Sequence, residues 1–139
     1  MGGAAVYLWV AIGGALGSMA RYALGNAMAV AVGVQFPWGT LLINVLGSFV
    51  ISFFGVLTGM NPGMAARFPL PFEARIFVTV GLCGGFTTFS AFSLQTVELA
   101  RNGNPGRAAL YVAASAALCI TACALGYASA AALNASRQG

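Results

Sequence analysis

Asn44 stands inside the apolar run GTLLINVLGSF, with Thr40 four residues before it and Ser48 and Ser52 at the next two steps of four. Residues four apart share one slowly drifting face of a helix. A carboxamide has four hydrogen-bonding valences, more than a single neighbour usually fills, and hydroxyls add further donors. In oil such a stripe can glue one helix to another, or replace the waters of a passing ion. A second stripe of the same period holds Tyr111, Ser115 and Cys119, followed by Cys123. Like the first, it reads either as glue or as pathway.

The third chemical feature is the stretch GLCGGFTTFSAF, residues 81 to 92. Gly84 and Gly85 can take backbone angles that other residues avoid, so a membrane helix can break there. A break leaves carbonyls unpaired at the end of the first half-helix, and they must be buried in protein or line a polar cavity. Helix-end carbonyls carry partial negative charge and suit a small cation. Thr87 or Thr88 is then a candidate N-cap for the second half. Phe89 and Phe92, one turn further on, either pack or present positive ring edges to a small anion. Neutral donors and ring edges would hold an anion weakly enough to let it go, as conduction requires. A local kink held by neighbours is the alternative for the break itself.

The elements that must carry these groups follow from composition. The chain has 139 residues, 60% hydrophobic and 6% charged. Soluble domains carry roughly 25% charged residues, so this is an all-α membrane protein. Four apolar segments run from about Ala4 to Val32, Trp38 to Met60, Glu73 to Leu99 and Gly106 to Leu133. Each is long enough for the roughly 20 residues a bilayer requires. The whole of 1–139 reads as one transmembrane domain, the third helix broken at mid-membrane. VGVQFPWG, NPGMAARFPLPFE and RNGNPGR supply the turns. The first apolar run has no basic residue before it, which argues against a cleavable signal peptide.

Charge distribution narrows the reading further. There is no Lys and no His, and the arginines lie singly at segment ends, which is not a nucleic-acid signature. The three cysteines match no metal motif and read as packing residues. No span interior holds an acidic residue, because Glu73 and Glu98 fall at the ends of the third segment. Proton-coupled transporters use such a group. With both termini on one side, Arg67, Arg75 and Arg137 face Arg101 and Arg107, three against two. That difference sets no clear orientation. The choice is between a small protein of definite topology and insertion both ways as an antiparallel homodimer, in which two breaks could meet on the two-fold axis and share one monovalent cation. In the first segment Gly13, Gly17, Arg21 and Gly25 share a face. Arg21 there is an interfacial anchor, an attractor of anions at a vestibule, or a partner for the helix-end carbonyls of a neighbour.

The motif GLCGGFTTFSAFS resembles the signature of the fluoride channel family, Fluc, also called CrcB; GTLLINVLGSF resembles its second-helix motif and GGALGSMARY its first. The resemblance covers essentially the whole chain. It implies an antiparallel, dual-topology homodimer in the inner membrane that lets fluoride leave the cell passively through two pores, with no enzyme activity. It also implies a central sodium ion on the backbone carbonyls of Gly84 and Thr87. The family's paired phenylalanines correspond to Phe89 and Phe92, its pore asparagine to Asn44 and its fourth-helix track to Tyr111 and Ser115. Arg21 corresponds to the family's first-helix arginine. Thr40, Ser48 and Thr88 are expected to add donors along the path. The chain departs from the pattern at Cys119, where a hydroxyl is common, and at Gln95, where Glu is common.

Overall fold

The computed structural model describes residues 3–60 and 66–136. Arg137 and the Asn61-Pro62 turn signal lie outside the described residues. Helix α1 runs Ala4–Val32, α2 Trp38–Leu57, α3 Phe72–Ile76, α4 Gly84–Phe86, α5 Phe89–Arg101 and α6 Pro105–Ala135. A π-helical segment, Phe77–Cys83, joins α3 to α4. The four spans long and apolar enough to cross a membrane are α1, α2, the composite Phe72–Arg101 and α6. The chain is therefore a multi-pass membrane protein, all-helical over the described residues.

The third span is broken, but not at its glycines. Gly84 has φ −63° and ψ −38°, ordinary helical values. The helix opens three residues later, where Thr87 (ψ 158°) and Thr88 (φ −153°, ψ 112°) are extended. The expectation that the glycines supply unusual backbone angles is thus corrected. Gly85 and Gly81 supply closeness instead, while a Cβ on Gly84 would meet only Thr79 O at 4.0 Å. A Cβ on Gly85 would run into the carbonyl oxygen of Gly14, and one on Gly81 would sit 2.9 Å from Gly13 Cα. From the other side, a Cβ on Gly13 would lie 2.5 Å from Phe77 O, and one on Gly17 would collide with Leu82 O. Two backbones therefore touch along a small-residue seam, the usual way helices gain contact in lipid, where no hydrophobic drive exists between them. Ser18 Oγ donates across the same seam to Gly85 O at 3.4 Å.

The other half of the bundle is α2 on α6, its most extensive helix pair. Gly126 lets α6 approach, since a Cβ there would lie 2.5 Å from both Phe49 O and Ser52 Oγ. Ser52 Oγ donates to Cys123 O at 2.7 Å. Of the α2 stripe, Ser52 is accordingly the member that ties α2 to α6.

Arginines close the helix ends on one side. Arg75 Nη1 donates to Gly59 O at 3.2 Å, and Arg67 Nη1 to Leu133 O at 2.9 Å. Each places positive charge where helix carbonyls end. Asn134, buried near the end of α6, donates from Nδ2 to Val56 O and accepts from the Arg67 amide, both at 3.0 Å.

The seam gives a matched pair of substitutions. Gly17→Ala should lower the thermal stability of the purified protein by about 1–3 kcal/mol through overpacking against fixed backbone. Gly14→Ala, whose added Cβ meets nothing within 4 Å, should be neutral or slightly stabilising. Melting curves in one detergent decide between them; equal losses would contradict the seam.

Candidate functional site

The break is held by one side chain. Asn44 Oδ1 accepts the Thr88 amide at 2.8 Å, and Asn44 Nδ2 donates to the Thr88 carbonyl at 3.1 Å. Both polar groups of the most irregular residue in the span are thereby satisfied inside protein, as hydrocarbon demands. The pair consumes one acceptor and one donor site of the carboxamide, and leaves one N–H and one lone pair. Gly47 stands next to this clasp. A Cβ there would collide with Thr87 Cγ2, so glycine makes the room in which the break sits. Thr88 itself caps α5: its Oγ1 accepts from the Ala91 amide at 3.2 Å.

These two diversions change the backbone accounting. In a continuous helix the Thr88 amide would bond Gly84 O, and the Ala91 amide would bond Thr87 O. Both amides instead go to side-chain oxygens. The neighbouring Gly85 O keeps Ser18 as a donor, and Cys83 O accepts the Thr87 amide at 2.9 Å.

Beside the clasp lies an open groove of about 480 Å³, lined by Asn44, Ser48, Phe89, Phe92, Ser115 and Cys119, together with Thr87, Val112 and Ala116. Ser48 Oγ donates back to Asn44 O at 2.7 Å, which leaves its lone pairs to the groove. Ser115 is different. It is 7% exposed, and its buried Oγ has no hydrogen-bond partner among the described residues. Phe89 and Phe92 lie with ring centroids 5.3 Å apart and planes 43° to one another. Phe89 is 78% exposed on the single chain, so one edge of the groove is formed by a ring with no cover of its own.

Tyr111 lines neither this groove nor the next. It is fully buried, its ring 5.1 Å from Phe92 and 5.4 Å from Phe36, and its hydroxyl donates to Gln95 Oε1 at 3.0 Å. Gln95 in turn lines a second cavity of about 610 Å³, with Thr40, Glu98, Asn102, Asn104 and Arg107 among its walls. The Tyr111–Gln95 pair thus stands between two cavities. The expected residues divide accordingly: Asn44, Ser48, Phe89, Phe92 and Ser115 come together with Thr87, while Thr40 faces the second cavity. Thr88 is buried behind the groove with its backbone engaged. Arg21 lies half-buried on the α1 face between Gly17, which meets the third span, and Gly25, which meets Gly39. It lines neither cavity.

Sequence reasoning missed two positioning residues. These are Gly47, within the expected second segment, and Asn134, just beyond the expected end of the last one. A lone carboxamide in an alanine-rich helix was the available signal for Asn134.

The chain matches known proteins over most of its length. Residues 8–127 fit the family described as CrcB-like protein, Camphor Resistance (CrcB). The chain is 52% identical over 128 residues to the "Fluoride-specific ion channel FluC" of Methylocella silvestris, covering 92% of this chain and 95% of that one. It is 54% identical over 121 residues to the protein of that name from Gluconobacter oxydans, covering 86% and 81%. The likeness to that of Thermus thermophilus is 45% over 121 residues, covering 87% and 91%.

The clasp has a measurable consequence. Asn44→Ala leaves the Thr88 amide and carbonyl without partners and should cost about 1–3 kcal/mol of stability. Hydrogen exchange at the Thr88 and Phe89 amides should speed up while α2 and α6 stay protected. Unchanged exchange at Thr88 would contradict the clasp.

Proposed function

The chain belongs to the CrcB-like family, and from that membership we propose that it is a passive fluoride channel of the inner membrane, working as an antiparallel homodimer with two pores. Its relatives bear the name of channels rather than enzymes. The observation that carries the reading is the groove, whose polar lining is entirely neutral and includes a buried hydroxyl, Ser115, with no partner among the described residues.

A small, strongly hydrated anion gives up water only where donors replace it. Ser115 Oγ–H and the spare N–H of Asn44 offer donors to one space, and Thr87 lines it with them. The edges of Phe89 and Phe92 carry partial positive charge and cover the stretch where hydroxyls are few. No full positive charge lines the groove, so the anion is held weakly and can leave. Beyond Phe92, the Tyr111 hydroxyl continues the line of donors towards the second cavity once it releases Gln95. Larger halides accept hydrogen bonds less strongly and recover less of their dehydration cost.

Two features support the dimer. Phe89 leaves the groove open along one side in a single chain, and a symmetric copy is the commonest way to close such an opening. The arginines near the span ends, Arg67, Arg75 and Arg137 against Arg101 and Arg107, differ by only one, so charge sets no clear orientation. The same arrangement gives sodium its place in the proposal. Gly84 and Thr87 are the two residues whose carbonyls lose their helical amides to Asn44 and Thr88, and Gly84 is exposed on the protomer. Backbone carbonyl is a suitable hard-oxygen donor, and these two carbonyls would hold the ion. When bound, it supplies the positive charge that the ends of two half-helices lack.

Purified protein in fluoride-loaded vesicles should release fluoride electrogenically, with little chloride flux. Ser115→Ala removes a donor to an ion, worth about 1.5–3 kcal/mol, and should slow release roughly ten-fold or more. Normal flux in that variant would remove Ser115 from the path. Dual topology is checked separately. A cysteine introduced at Asn102, in a chain without the native cysteines, should be labelled by an impermeant maleimide in about half of the copies in intact cells. Labelling of all or none would rule out the antiparallel dimer.

A further inference from the structure

Cys119 is the one of the three cysteines that lines the groove. Cys83 is 3% exposed and sits in the π-helical segment. Cys123, four residues on, has its carbonyl tied to Ser52 in the α2–α6 contact. One turn before Cys119, the Ser115 hydroxyl is more than nine-tenths buried, faces the same space and has no partner among the described residues. The groove is thus built for a small polar guest, and that guest passes directly alongside a free thiol.

From this we infer that Cys119 is a site for soft, thiophilic metals, and that a mercury(II) or comparable ion bound there shuts the groove. Sulfur ligands select soft metals over the hard ions common in water. A hydroxyl in the same place would have no such affinity. The neutral lining matters here as well, because it sets no charge barrier against an uncharged linear molecule such as mercuric chloride. The step balances without oxidation or reduction. The Sγ–H bond breaks, an S–Hg bond forms, one chloride leaves mercury and the proton passes to the buffer. The product, a side chain bearing Hg–Cl, stands among Asn44, Phe92, Ser115 and Ala116 and occupies the space through which an ion must move.

The inference rests on the groove being the fluoride path, and the experiment separates the two. Vesicles carrying the full-length protein are assayed for fluoride release before and after mercuric chloride, then after dithiothreitol. The untreated protein should lose its flux to the background of empty vesicles and regain it with the thiol. Cys119→Ser and Cys119→Ala should each keep the flux they had before treatment, whatever that was, while Cys83→Ala and Cys123→Ala remain as sensitive as the parent. Peptide mass spectrometry should find mercury on Cys119 ahead of Cys83. Full inhibition of both Cys119 variants, or an adduct on Cys119 with flux intact, overturns the inference. Absence of fluoride flux from the untreated protein overturns the channel reading instead, and the mass shift still decides whether Cys119 is the reactive thiol.

Discussion

A chain that breaks its backbone in oil must satisfy every group the break releases. Here that requirement falls on the Asn44 carboxamide, which closes on both the amide and the carbonyl of Thr88. The surrounding structure follows from this closure. Gly47 is small so that Thr87 can lie against α2, and Ser18 reaches the Gly85 carbonyl from α1. Thr88 turns its hydroxyl to the first turn of α5, which fixes where that helix starts and so where Phe89 and Phe92 project. A single side chain thereby couples backbone repair to the placement of the ring pair.

The α2 stripe does two jobs because its period of four drifts around the helix. Asn44 and Ser48 reach the groove, whereas Ser52, one turn later, has rotated onto α6 and donates to Cys123 O. The α6 stripe shows the same division. Ser115 and Cys119 line the groove, and Tyr111 is buried at its end against Gln95. Neutral groups do all of this work. Apart from Arg21 within α1, the described charged residues stand near the ends of the spans, where Arg67 and Arg75 meet terminal carbonyls. A groove without fixed charge would hold an ion weakly enough to let it enter and leave.

Much of this was legible in the residues. Composition and segment length gave the membrane class and four spans, since hydrophobic length is a local quantity. The polar stripes were visible as spacing, and the motif residues Asn44, Phe92 and Ser115 do share one space. The break was foreseen, but its cause was misplaced. Gly84 and Gly85 looked like sources of unusual angles, yet both are helical; Gly85 serves by its missing Cβ against Gly14, as Gly81 does against Gly13, while Gly84 makes no such approach. A glycine's two uses, freedom and closeness, are identical in sequence, and only the neighbour distinguishes them.

Sequence alone therefore determined the solvent this chain lives in, the number of its spans and the kinds of donor available at each depth, because those depend on residue type and short-range spacing. Tertiary structure alone decided which donors are spent and which remain free. Asn44 is half consumed by a residue 44 positions away, Ser52 is consumed by α6, and Ser115 has no partner among the described residues. Hydrogen-bond partners far apart in the chain meet only when the helices pack, so the unfilled valences that can receive an ion exist only in the fold.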